Sequence, residues 1–419
     1  MLKQITGTIG ARIITTAMGL LVSVVAGHRL GVEGIGVIGL IALGITLVGL
    51  LAGAFGGGVM VYMVPRVPLA RLVPHAYVWA VVLSVVGYAI VKYAHLVPEG
   101  YAEHVGVLAF LQSGYSIHTG VLLGQQRVRA YNYVDMLRSV LLLGVFALLA
   151  FRPSPTPLDY VHAAYGAFGI SLLASAFATR NSPAPAMAAP ADVWRTMAGQ
   201  GLMVQGANGL QLVLYRVSYW LIEHYRNTSL LGLYVVANQL SEGAWLVPRS
   251  VAVVLYSKVS NTESTEGQKR VTIDMLKLSV SCALLALVAL LLIPEALFSW
   301  VFGPEVFGLR PIIAMLAPGI LGLAASQAFS HYFSGTAQNK HNVIGSGIGL
   351  LAMLAAGFTL IPAFGLLGAA ASGSLAYLAA GIYQALAFMR VTGAGFSELL
   401  PSTTDAQRLQ ALLANRRNP

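Results

Sequence analysis

Apolar residues run along this chain in blocks of about twenty, each closed by a short stretch bearing arginine, lysine, proline or paired glycines. The blocks fall near 5–27, 37–63, 73–96, 105–124, 133–151 and 159–179, then near 197–222, 229–256, 271–293, 309–336, 342–361 and 365–389. Wound as α-helix, about twenty residues span the roughly 30 Å hydrocarbon core of a bilayer. The pattern therefore predicts an all-α polytopic membrane protein of about 12 transmembrane helices. Pro248 predicts a kink in the eighth span. The first block reads as a retained helix, because no small-residue cleavage site precedes His28 and Arg29.

Composition agrees. Of 419 residues, 57% are apolar and 10% charged, with a mean hydropathy of +0.74, whereas a soluble domain carries roughly 25% charged residues. The net charge of +10 would favour nucleic acid in a soluble protein, but here the basic residues sit singly in short loops and act as topology signals, so no nucleic-acid partner is expected. With the N-terminus inside, the inner loops hold Arg66, Arg71, Arg127, Arg129, Arg180, Arg195, Lys258, Lys269, Arg270 and Lys340, and the tail adds Arg390, Arg408, Arg416 and Arg417; the outer loops hold Arg29, Arg152, Arg226 and Arg310. This asymmetry predicts both termini in the cytoplasm and a multi-pass protein of the cytoplasmic (inner) membrane. The one cysteine, Cys282, lies within an apolar span and can form no intrachain disulfide.

The Pro/Ala-rich stretch from Arg180 to Asp192 falls near the middle of the chain and reads as a linker. Gly34-Ile-Gly-Val-Ile-Gly-Leu-Ile opens the second span and Gly232-Leu-Tyr-Val-Val-Ala-Asn-Gln opens the eighth, an offset of 198 residues. The echo predicts parallel repeats with a binding site between them. The expected domains are a six-helix lobe over 1–180, a cytoplasmic linker over 181–196, a second six-helix lobe over 197–392 and a cytoplasmic tail over 393–419.

Polar residues inside the spans recur on single faces. Asn238, Glu242, Trp245 and Arg249 fall within about 60° on the eighth span. On the seventh, Gln200, Asn208, Gln211, Tyr215 and Ser218 cover about 80°, with Gln205 and Arg216 further round. On the tenth, Gln327, His331, Ser334 and Gln338 align at helical spacing. Such stripes either line a wet cavity or hydrogen-bond helix to helix. The three together, with charges among them, favour a cavity. Arg12 on the first span either faces that cavity or snorkels to the inner surface. Gln112, Tyr115 and His118 continue the theme on the fourth span, His118 reading first as a packing residue. Asp135 and Arg138 stand three apart and neutralise each other.

The candidate substrate-binding residues are thus Arg12, Gln211, Arg216, Asn238, Glu242, Arg249, Gln327 and His331. Guanidinium forks suit phosphate oxygens better than neutral sugars, so an anionic lipid headgroup is the expected ligand. Glu242 and His331 are the groups in these stripes able to change charge near neutral pH, and so the candidates for ion coupling. No P-loop, no His-Glu-x-x-His and no paired-cysteine spacing occurs, and the acids of the outer loops, Glu99, Glu103, Asp159, Glu223, Glu295 and Glu305, are scattered. No catalytic residue, metal or cofactor is expected.

The stretches Tyr215-Arg-Val-Ser-Tyr-Trp-Leu-Ile222, Leu231-Gly-Leu-Tyr-Val-Val-Ala237, Trp245-Leu-Val-Pro-Arg-Ser-Val-Ala252 and Val301-Phe-Gly-Pro-Glu-Val-Phe307 resemble the polysaccharide and O-antigen (Wzx-type) flippases of the multidrug/oligosaccharidyl-lipid/polysaccharide (MOP) exporter superfamily. The likeness continues through Leu316-Ala-Pro-Gly-Ile320, Tyr332-Phe-Ser-Gly335, Leu360-Ile-Pro-Ala-Phe-Gly-Leu-Leu-Gly-Ala-Ala370 and Arg390-Val-Thr-Gly393, and more loosely through Arg29-Leu-Gly-Val-Glu-Gly-Ile-Gly36 and 120–129. The resemblance implies a MATE-like fold of two six-helix lobes and a non-enzymatic transporter. It would carry undecaprenyl-diphosphate-linked oligosaccharide units from the inner to the outer leaflet for surface polysaccharide, alongside a polysaccharide polymerase and a chain-length regulator. Ser218 stands where family members often carry an acid, which puts coupling through that position in doubt. The alternatives are a multidrug or metabolite cation antiporter of the same superfamily and a membrane-embedded polysaccharide polymerase. The first should show acidic cavity residues; the second should show large outer loops with paired carboxylates.

Overall fold

A computed structural model describes residues 2–180, 187, 190, 192–245, 259, 264–336 and 338–400. Among these every regular element is helical. The elements are α1 (Leu2–Ala52), a 3-10 turn (Gly53–Phe55), α2 (Gly57–Met63), α3 (Leu69–Tyr93), α4 (Ala102–Gly124), α5 (Val128–Ala150), α6 (Pro157–Thr179), α7 (Val193–Tyr225), α8 (Thr228–Ala244), α9 (Thr265–Leu292), α10 (Glu295–Phe302), α11 (Leu309–Gly335), α12 (Lys340–Thr392) and α13 (Phe396–Leu399).

Helices α1 and α12 run 51 and 53 residues, about 75 Å if straight and more than twice the bilayer core. Neither is straight. Gly31 takes φ 71° and Gly365 φ 59°, values that favour glycine. The chain folds back at both. A Cβ built on Gly27 would lie 3.2 Å from Ile35 Cδ1, and one on Gly368 2.0 Å from the Leu360 carbonyl oxygen, although eight residues of straight helix rise about 12 Å. Each long helix is therefore two crossings joined by a glycine turn, as the breaks between the first and second and between the eleventh and twelfth apolar blocks predict. Among the described residues, eight helices are long and apolar enough to cross a membrane. With two of them folded, and with α7 and α8, the architecture has about a dozen crossings. The second span differs from its predicted 37–63: it is interrupted by the 3-10 turn and by Gly57 at φ 38°.

Solvent preference is inverted, as a lipid-facing surface requires. Val85, Leu148 and Leu173 are 62%, 77% and 71% exposed, a cost in water that hydrocarbon removes.

The chain divides into two compact units. One comprises Met1–Leu240, Ile293–Ile313 and Leu354–Ser372; the other comprises Ser241–Leu292, Ala314–Met353 and Gly373–Pro419. The first unit has a core of Phe55, Met60, Met63, Leu72 and Ile117, with the Phe55 and Trp79 rings stacked at 4.5 Å. The second packs Phe329, Tyr332, Phe333 and Phe388, with the Tyr332 and Phe388 rings edge to face at 4.9 Å.

Three of the four arginines in the turns predicted to lie outside have a structural use. Arg29 donates from Nε to the Ala150 carbonyl and from Nη2 to the Arg152 carbonyl, where α5 ends. Arg226 donates from Nη2 to the carbonyls of Ile361 and Pro362, where the first half of α12 ends. Arg310 donates to the carbonyl of Ile293, just past α9. These guanidinium groups satisfy the carbonyls that a helix C-terminus leaves unpaired and oppose its negative dipole end. The acids do the converse. Glu305 accepts the Val32 N–H after the Gly31 turn, Glu295 accepts the Arg310 N–H at the start of α11, and Asp159 closes a capping box with Thr156 at the start of α6. The acids that are scattered in sequence are, in these three cases, helix caps.

Candidate functional site

Two of the expected site residues meet through a third that the sequence reading did not single out. Arg216 of α7 donates from Nη1 to the Tyr219 hydroxyl at 3.4 Å, and its guanidinium carbon lies 5.3 Å from the Tyr219 ring centre. Asn238 of α8, 1% exposed, donates from Nδ2 to the same hydroxyl at 3.4 Å. Tyr219 packs edge to face on Tyr234 at 5.9 Å, which fixes the ring between the two helices. Gln211 lies on the same helix as Arg216 and donates to Tyr215 at 3.0 Å. Arg216, Tyr215 and Gln211 are half-buried.

Further along α7, Asn208 donates to Gln205 and Gln205 to the Gly53 carbonyl in the 3-10 turn. A Cβ on Gly201 would stand 2.3 Å from the Ala54 carbonyl oxygen. This end of the stripe thus ties α7 to the interruption after α1. The Gly53 carbonyl already accepts the Gly56 N–H at 2.8 Å, and the glutamine adds a second donor to its free lone pair.

The first unit holds a second polar cluster. The Tyr115 hydroxyl donates to Asp135 Oδ1 at 3.0 Å and Arg138 Nη2 donates to the same oxygen at 3.1 Å. The Arg138 guanidinium lies 5.5 Å and 5.7 Å from the rings of Tyr115 and Phe168. The expected Asp135 and Arg138 pairing is present, held among α4, α5 and α6. Arg12, Asp135 and Arg138 all act electrostatically on the Tyr131 hydroxyl, so the exposed Arg12 of α1 belongs to this neighbourhood. Asn132 also bonds α1, through Thr8 Oγ1 at 3.2 Å. His118 is a packing residue with both ring nitrogens engaged, Nε2 with the Tyr77 hydroxyl at 3.0 Å and Nδ1 with Thr179 Oγ1 at 2.8 Å.

In the second unit, Gln327 and His331 are half-buried on α11. Next to their stripe runs a hydrogen-bonded ladder that the sequence did not disclose. Ser326 donates to Gln384 Oε1 at 2.6 Å and Gln384 donates to Asn342 Oδ1 at 3.2 Å. Asn342 in turn donates to the Ser330 carbonyl and to Ser334 Oγ, both at 3.0 Å. Ser334, counted in the polar stripe, is thereby used to bind α11 to the first half of α12, while Ser326 binds it to the second. Glu242 is half-buried at the end of α8. Arg249 and Pro248 lie outside the described residues, as does most of the expected linker. Among the described residues no three His, Cys, Asp or Glu side chains are grouped to hold a metal ion.

No protein-family model and no curated protein matches this sequence. Solved structures do. An inward-facing multidrug-resistance MATE transporter of the MOP superfamily aligns with TM-score 0.72 at 14% identity, over 90% of this chain and 94% of that one. The lipid II flippase MurJ, in an inward closed conformation, aligns with TM-score 0.68 at 12% identity, over 93% and 88%. A MOP superfamily transporter from Pyrococcus furiosus, described by a binding pocket of reverse polarity suggesting a different function, aligns with TM-score 0.59 at 12% identity, over 94% and 95%. The chain has the all-helical, about twelve-crossing fold of the MOP superfamily transporters.

Proposed function

We propose that this protein is a flippase. It would move undecaprenyl-diphosphate-linked oligosaccharide units from the inner to the outer leaflet of the cytoplasmic membrane by alternating access, for surface polysaccharide synthesis. The observation that carries the reading is the Arg216, Tyr219 and Asn238 arrangement on a MOP-type fold: a guanidinium and a carboxamide both donate to one phenol. A permanently charged fork with amide and hydroxyl donors beside it matches diphosphate oxygens. Arg12 and Arg249 are proposed to serve the same substrate, with Gln211 and Gln327 as polar contacts, and Glu242 and His331 as coupling groups. In this reading the two lobes span 1–180 and 197–392, joined by a linker over 181–196 and followed by a tail over 393–419, with both termini cytoplasmic. The partners would be the polyprenyl-linked sugar, membrane lipid, a polymerase and a chain-length regulator.

The test is reconstitution in vesicles with two cargoes. Undecaprenyl-diphosphate-linked oligosaccharide, followed by its loss of access to an impermeant oxidant, should cross in a protein-dependent way, and a cationic dye should not accumulate. Dye movement with static sugar-lipid would assign the chain to the antiporters.

A further inference from the structure

Helices α3 and α4 enclose a groove of about 470 Å³ whose lining is almost wholly apolar. It is formed by residues 81, 84, 85 and 88 of α3 and 103, 106, 107 and 110 of α4, the same helical spacing on each, so two matching stripes face one another. The helices touch at Gly106, where a Cβ would lie 2.9 Å from Tyr88 Cβ. The groove is continuous with a valine face of α3: Val78, Val82 and Val86, like Val81 and Val85 of the lining, are exposed. It therefore opens towards hydrocarbon.

One end is not apolar. Lys92 Nζ donates to the Tyr88 hydroxyl at 2.9 Å and to Glu103 Oε1 at 3.0 Å, and Tyr88 donates to Glu103 Oε1 at 3.2 Å. Lys92 has three donors, so one remains beyond these bonds, and both bonds to Glu103 fall on a single oxygen. Lys92 and Glu103 are about half exposed at the last turn of α3 and the first turn of α4, where a helix of 25 residues reaches the membrane boundary. One helical turn deeper, about 6 Å from Tyr88, Ser84 lines the groove, and its buried hydroxyl has no hydrogen-bond partner among the described residues.

We propose that this groove is a binding site for one aminophospholipid. The acyl chain fills the cavity, the phosphate meets Lys92, the primary ammonium meets the second oxygen of Glu103, and Ser84 donates to an ester carbonyl one turn below the phosphate. The paired charges choose the headgroup. A zwitterion with N–H donors satisfies both Lys92 and Glu103, whereas phosphatidylcholine offers the carboxylate no donor, and an anionic lipid brings a negative headgroup towards it.

Native mass spectrometry of the purified full chain, titrated with phosphatidylethanolamine or phosphatidylcholine, tests this. The wild type should retain one phosphatidylethanolamine with a preference of about tenfold. Glu103→Gln should bring the preference to about unity, and Val107→Trp, which fills the groove, should lower retention of both lipids. Should Val107→Trp fail to fold, Val85→Trp at the lipid-facing edge makes the same test. Equal retention of the two lipids by the wild type, retention unchanged by the tryptophan, or displacement of phosphatidylethanolamine by an equal concentration of polyprenyl phosphate would each overturn the assignment.

Discussion

Gly36 faces the carbonyl oxygen of Thr228 so closely that a Cβ on the glycine would lie 2.1 Å from it, and Gly232 returns the contact on the Val32 carbonyl at 2.0 Å. The contact is reciprocal. Residues 32 and 36 meet 228 and 232 reciprocally at an offset of 196 residues, two residues out of register with the echo between Gly34 and Gly232. Both glycines are needed because the backbones of α1 and α8 meet with no room for a side chain.

Gly36→Ala and Gly232→Ala should each destabilise the protein by about 1–3 kcal/mol, the usual range for overpacking. Gly19→Ala, at a helical site with open space, should be neutral or slightly stabilising, because alanine is the better helix former. Thermal unfolding midpoints in detergent check all three. Equal midpoints for Gly36→Ala and Gly19→Ala would mean that α1 and α8 are not in contact there.

The arginine caps give a second expectation. Arg226→Ala removes the donor of the Ile361 and Pro362 carbonyls beside the Gly365 turn, and should cost about 1 kcal/mol. Hydrogen exchange across 360–370 should then speed up while α4 is unchanged. Arg226→Lys should fall between, since a point charge replaces a fork.

The ladder of Ser326, Gln384, Asn342 and Ser334 is helix-to-helix glue and should not contribute to transport. Asn342→Ala is expected to lower the unfolding midpoint by the equivalent of about 0.6–1.7 kcal/mol with substrate movement intact at permissive temperature. Loss of transport at unchanged stability would make the ladder part of the pathway.

A pH dependence follows from α13. Glu398 is held below the ordinary carboxylate range, first by the Gly395 N–H and then by Lys269, which it meets at 3.0 Å; Lys277 and Glu266 also face this pair. A depressed carboxyl stabilises above its unfolded value and loses that contribution as pH falls through its folded value. The difference in unfolding midpoint between the wild type and Glu398→Gln should hold from neutrality to about pH 4.3 and vanish on further acidification. A difference that persisted at the acid end would show that the carboxylate is not its source.

Much of the fold was legible because hydrocarbon thickness sets block length, and the glycine turns at Gly31 and Gly365 fall where apolar blocks were parted. The break at Gly53–Gly57 was not legible, since the residues around it are as apolar as the helix they interrupt. Periodicity placed Asn238 on a polar face and Arg216 further round the seventh span from one, yet it reports which residues share a face and not what the face meets. Tyr219 as their common partner, and Asn342 and Gln384 as partners of the α11 serines, required the packing of helices distant in sequence. The same limit hid the capping role of Arg29, Arg226 and Glu305, whose partner helix ends lie 121 to 273 residues away.

The role proposed for fixed guanidinium groups in this fold is to serve a diphosphate-linked sugar. Its most direct test is the pool of lipid-linked oligosaccharide in cells that depend on this protein for surface polysaccharide, with Arg216→Ala or Arg249→Ala at unchanged protein level. Surface polysaccharide should be lost and the lipid-linked units should accumulate on the cytoplasmic face. Normal polysaccharide and an unchanged lipid-linked pool in both variants would contradict it.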